Sequence, residues 1–87
     1  MQAEEKLRDL AVSDSGFVFD PYTGATFSVN PAGQLLLKEL KDGRDRAALV
    51  ASLRESFEIR GEDVERDVDE FVALLKSNGV LPADFVL

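Results

Sequence analysis

The sequence predicts an α+β fold, winged helix-turn-helix-like, in which a three-stranded antiparallel sheet is followed by three helices. Three observations predict it. Ala25, Phe27 and Val29 alternate with Thr26 and Ser28, the period-two signature of a strand with one buried face. Asn30-Pro31 follows directly and opens a helix that Gly43 is placed to close. Apolar residues at helical spacing then recur twice more, from Asp45 to Phe57 and from Glu62 to Asn78. With 87 residues and 45% hydrophobic side chains, the chain is sized for one domain with one small core.

Taken in order, residues 1–8 hold good helix formers without an apolar stripe and read as a frayed tail. A first strand is expected near residues 7–13, where Leu10 and Val12 alternate with Ala11 and Ser13, and Asp14-Ser15-Gly16 supplies a turn. Phe17, Val18 and Phe19 form the second strand. Asp20-Pro21-Tyr22-Thr23-Gly24 then turns the chain, since Asp bonds the backbone ahead of it, Pro presets φ and Gly accepts a positive one. The third strand covers residues 25–29.

The first helix is expected to start at Pro31 and end near Lys41 or Asp42. It turns Leu35, Leu36 and Leu40 inward, Leu37 to one side, and Lys38, Glu39 and Lys41 to solvent. Asp45 caps a second helix carrying Leu49, Val50, Leu53 and Phe57. Residues 58–61 read as a connection. In the third helix Val64, Val68, Phe71 and Leu75 share a narrow stripe at roughly 100° per residue. Gly79 with Val80 and Leu81 suits a Schellman ending, and Phe85, Val86 and Leu87 make the last residues apolar enough to dock.

Composition excludes more functions than it suggests. There is no His and no Cys, which removes thiolate and imidazole metal sites, Ser-His and Cys-His nucleophile pairs and histidine acid–base chemistry. No glycine-rich phosphate loop is present, and no cofactor is implied. A formal charge of −7 disfavours nucleic acid and anionic membranes. The third helix is itself acidic, with Glu62, Asp63, Glu65, Asp67, Asp69 and Glu70 against Arg66 and Lys76, so it would repel phosphate in a major groove. These carboxylates sit on a helix rather than in a Ca²⁺ loop, and no metal site is expected. Asp14-Ser15 leads into a strand, not a helix, which excludes a carrier-protein prosthetic site. With no long apolar run and no basic signal sequence at the amino end, a cytoplasmic location is expected.

The run from Leu10 through Pro21 (LAVSDSGFVFDP), then Thr23-Gly24, Val29-Asn30 and Gly33, resembles the PqqD-like family, the recognition element of ribosomally made and modified peptides. So do Leu40-Lys41-Asp42-Gly43 and Glu65-Arg66-Asp67-Val68 with Phe71, Leu74, Leu75 and Gly79. The likeness covers residues 7–81, and its specificity lies in order and spacing rather than in any one motif. It implies a peptide chaperone without catalytic residues. Such a domain binds the leader of a precursor peptide by β-strand addition and presents it to a modifying enzyme, such as a radical SAM enzyme.

On that resemblance the leader would pair with Ala25, Thr26, Phe27, Ser28 and Val29 and lie against Asp67, Val68, Phe71, Val72 and Leu75. Phe17, Phe19 and Phe27 could form a pocket, but aromatic residues at strand alternation are mostly core, and Phe27 is read so. Two flanks border the apolar stripe of the third helix: Glu65, Asp69, Val72 and Lys76 on one side, Asp63, Asp67, Glu70 and Leu74 on the other. One flank should face the groove. A wall mixing Phe71, Val72 or Leu74 with Asp67 and Asp69 would favour an apolar anchor beside a Lys or Arg, whereas a merely solvated acidic face would favour nothing. The alternative function is a winged-helix transcriptional regulator or protein–protein adaptor. A carboxylate enzyme has only its carboxylates in support. The open sheet edge is compatible with either a monomer or a homodimer.

Overall fold

A computed structural model describes residues 7–57 and 61–87. The expected tail over residues 1–6 and most of the expected connection, residues 58–60, lie outside the described residues. Three strands, β1 (Ala11–Val12), β2 (Phe17–Phe19) and β3 (Thr26–Ser28), form an antiparallel sheet in the order β1-β2-β3. Three helices follow: α1 (Pro31–Lys41), α2 (Arg46–Phe57) and α3 (Gly61–Ser77). Gly61, expected in the connection, is the first residue of α3. The α+β reading holds, with every strand preceding these three helices.

The hairpins explain the sheet's register. Gly16 closes the first turn at φ 94°, donating its N–H to Ser13 O, while its own carbonyl accepts the N–H of Val29. A side chain there would meet Val29 O at 2.4 Å, so the position needs glycine on two counts. The second turn is built on Asp20, the one fully buried charged residue among those described. Its Oδ1 accepts the Tyr22 N–H at 2.9 Å and its Oδ2 the Thr23 hydroxyl at 3.0 Å, while its backbone bonds Ala25 and Gly24. These contacts satisfy the buried carboxylate and hold Phe19 opposite Thr26, Val18 opposite Phe27 and Phe17 opposite Ser28.

The amino end departs from expectation. Residues 7–9 are helical, and the strand expected from Leu7 starts only at Ala11. Leu7 and Leu10 lie three residues apart and both are buried, which is helical spacing; the Leu10–Val12 alternation masked it. In β2 the buried residue is Val18, and Phe17 and Phe19 face outward, 58% and 45% exposed. Strand parity dictates this, because Val18 pairs with inward-facing Phe27.

Helix ends follow their sequence signals. Asn30 Oδ1 accepts the Gly33 N–H at 2.8 Å ahead of Pro31, and Asp45 Oδ1 accepts the Ala48 N–H at 3.0 Å. Both α1 and α3 end in Schellman motifs. Gly43 and Arg44 bond back to Leu40 and Glu39, and Gly79 and Val80 to Lys76 and Leu75.

The core gathers the inner faces of all three helices beneath Val18. In α1 the deepest residue is Leu37, fully buried with Leu36 and Leu40 beside it, while Leu35 is only partly covered. The expected face was therefore rotated by part of a turn, because residues 7–10 supply a second wall. Lys41, expected in solvent, donates to Leu10 O at 2.9 Å on that same side. Phe57, expected in the α2 stripe, is 39% exposed.

Replacement of Leu37 by Ala is expected to lower unfolding free energy by about 2–5 kcal/mol, and of Leu35 by clearly less; equal losses in urea denaturation would contradict this packing. Replacement of Asp20 by Ala removes the acceptor that satisfies Tyr22 N–H, and thermal denaturation is expected to show a loss of about 1–3 kcal/mol.

Candidate functional site

Two strands lie at the edges of the sheet, and they differ in what covers them. Beside β1, Lys41 donates to Leu10 O and Gln34 Nε2 to Asp14 O at 3.2 Å, so side chains of α1 occupy backbone acceptors along that edge. At β3 nothing comparable is found. Val29 N–H bonds Gly16, and Ala25 C=O accepts from Asp20, which turns the backbone of residues 25, 27 and 29 toward β2. In an antiparallel pair the intervening residues then face away. The N–H and C=O groups of Thr26 and Ser28 point to the open side, without a partner among the described residues.

A groove of about 310 Å³ begins at the carboxyl end of this edge. One wall is Ser28, Val29 and Asn30 with Ala32, Gly33 and Leu36 of α1; the other is Asp67, Glu70, Phe71 and Leu74 of α3. The walls meet closely at Gly33. A Cβ at this buried position would lie 3.0 Å from Val29 Cβ and 3.2 Å from the Phe71 ring, so the missing side chain lets Phe71 form the groove's floor.

The structure sorts the expected site residues. Ser28, Val29, Asp67 and Phe71 line the groove. Thr26 lies on the open edge outside that lining, and Ala25 and Phe27 direct their backbones to β2. Phe27 packs against the core. Val68 and Leu75, 1% and 0% exposed, belong to the core instead of the groove, because Phe71 forms the groove-side margin of the α3 stripe, with Leu75 inside it and Val68 at its far margin. Val72 lies on the opposite flank, in a separate hollow with Arg46, Asp69, Lys76 and the docked Phe85 and Leu87. Asp69, grouped with Asp67 in the expected wall, goes with it. Glu70 and Leu74 take their place. The contributions of Asn30, Ala32, Gly33 and Leu36 were missed, although the Asn-Pro helix start directly after the strand already placed the first turn of α1 beside β3.

Charge pairing separates the groove's carboxylates from the others on α3. Arg46 bridges Glu65 and Asp69, each at 2.8 Å, and Asp63 pairs with Arg66 at 2.9 Å. Asp69 foremost, and then Glu65, hold the Arg46 guanidinium above its ordinary pKa. Asp67 and Glu70, on the groove, have no ion-pair partner among the described residues. No group of three potential metal ligands converges among the described residues, and none of their helices is long and apolar enough to cross a membrane.

An open strand edge beside an apolar groove rimmed with carboxylates is suited to an extended chain. Comparison with known proteins agrees in fold. A solved structure described as lasso peptide synthetase B1 complexed with the leader peptide is 30% identical, covers 82% of this chain and 85% of its own, and superposes with a TM-score of 0.69. No curated protein matches the sequence. The family model for coenzyme PQQ synthesis protein D (PqqD) matches residues 16–81, from the first hairpin glycine to the buried Leu81 after α3, and the chain belongs to that family.

Proposed function

We propose that this chain is a peptide chaperone: it captures the leader region of a ribosomally synthesised precursor peptide as a fourth strand on β3 and presents it to a modifying enzyme. The observation that carries the proposal is the outward backbone of Thr26 and Ser28, without a partner among the described residues, beside the groove against α3. An added strand satisfies those groups with main-chain hydrogen bonds that are blind to sequence, and its alternate side chains enter the groove, which supplies selection. The structural likeness to a lasso peptide synthetase chain solved with a leader peptide supports the same reading. The chain itself carries no catalytic step, and its partner is an enzyme that acts on the peptide outside the captured segment, as the radical SAM enzymes associated with this family would. Its place is the cytoplasm, where precursor and enzyme meet. A DNA-binding regulator is the poorer reading, because Asp67 and Glu70 line the groove without a counter-charge among the described residues and would repel phosphate.

Titration of the isotope-labelled protein with the amino-terminal halves of short peptides encoded beside its gene tests this. Amide shifts are expected at Thr26 and Ser28 and along Asp67 to Leu74. Replacement of Ser28 by Pro removes one outward N–H and leaves the bonds from Phe27 and Val29 to β2 intact; it is expected to weaken binding about tenfold with the fold retained. Shifts confined to another surface, or full binding by the Pro variant, would contradict strand addition.

A further inference from the structure

We infer that the groove selects an extended peptide in which a Lys or Arg lies two residues from an apolar side chain. The cation meets Asp67 and Glu70, and the apolar side chain seats on Phe71 and Leu74. This rests on the strand-capture reading and adds its sequence preference.

The first argument is the pairing of charges along α3. Asp63, Glu65 and Asp69, none of which lines the groove, are paired within this chain, Glu65 and Asp69 sharing Arg46 and Asp63 meeting Arg66. Asp67 and Glu70, which line it, have no such partner among the described residues. They sit three residues apart on one helix face, where like charges repel and cost stability in the free protein. A cation placed between them removes that cost as it binds.

The second argument is spacing. Asp67 and Phe71 are four residues apart, as are Glu70 and Leu74, so the carboxylate row and the apolar row are offset by about 6 Å along the helix axis. Side chains on one face of an extended strand repeat at about 6.7 Å. The groove follows α3 through this whole stretch. Two successive inward side chains of an added strand, one basic and one apolar, therefore match the two rows. Adjacent residues do not, because they point to opposite faces. Val29 and Leu36 complete the apolar end from the other wall.

Selection of short random peptides displayed on phage against the full chain at low salt tests the inference, with amide shifts of the labelled protein locating where each enriched peptide binds. The expected result is that peptides shifting Thr26 and Ser28 share a Lys or Arg two residues from an apolar side chain. Their affinity is expected to fall about three- to tenfold for the D67N/E70Q variant. The same loss of charge at exposed sites away from the groove, D14N/E55Q, should leave affinity nearly unchanged, and the unliganded D67N/E70Q protein should be no less stable than the parent. Peptides that bind β3 without a basic residue at that spacing, or that lose equal affinity with both double variants, would overturn the preference and leave strand capture standing. Enriched peptides that never shift Thr26 or Ser28 would overturn both.

Discussion

The site depends on the corner where β3 becomes α1. A single residue, Val29, separates Ser28 from Asn30, and Asn30 caps the helix through its contact with Gly33 N–H. That cap fixes the angle at which the helix leaves the strand. Gly33 then brings the first turn of α1 close enough for the Phe71 ring to fill the space a side chain would take. Strand, helix and α3 are thereby held in one arrangement, and the groove is the wedge left open beside it. The turn at Asp20 and the bond from Val29 to Gly16 set the parity that leaves Thr26 and Ser28 facing outward. A slip of one residue would point those groups at β2, present residues 25, 27 and 29 at the edge instead, and turn Phe27 off the core face.

Around that corner the protein treats its two sheet edges and its two α3 flanks unequally. The β1 edge is met by Lys41 and Gln34, a common way for a sheet to discourage unwanted pairing. The β3 edge is left open. One flank of α3 is locked to α2 through Arg46, which also covers the hollow where the carboxyl-terminal residues dock. On the other flank Asp63 pairs with Arg66, while Asp67 and Glu70 at the groove have no ion-pair partner among the described residues. Exposed ion pairs contribute little each, so the effect of Arg46 lies less in stability than in settling which carboxylates remain available.

Much of this was legible in the sequence because its signals were local. Asn30-Pro31, Asp45, Gly43 and Gly79 announced caps and endings that depend on a few neighbouring backbone atoms, and the structure has all four. The alternation of residues 25–29 gave the correct face. What failed was set at longer range. Leu37 became the deepest residue of α1 because residues 7–10 pack on that side, and no property of the helix alone foretold it. The faces of Phe17 and Phe19, which the sequence left unassigned, are set outward by the parity of a three-residue strand, against their hydrophobicity. In α3 the stripe is legible, yet of its expected groove residues only Phe71, at the margin next to Asp67 and Leu74, lines the groove, while Leu75 inside the stripe and Val68 at its far margin pack inward. Which margin faces β3 depends on how α3 crosses α1, so Glu70 and Leu74 could not be preferred over Asp69 and Val72.

The central claim is that β3 binds an extended chain through its own backbone. Its most direct measurement is the set of intermolecular nuclear Overhauser contacts between the amide and α protons of Thr26 and Ser28 and a bound peptide encoded beside the gene. The account predicts cross-strand contacts between the two backbones, together with slowed hydrogen exchange at both amides. A peptide that binds as a helix, or one whose contacts fall on the exposed Phe17 and Phe19 face while Thr26 and Ser28 exchange as before, would contradict it.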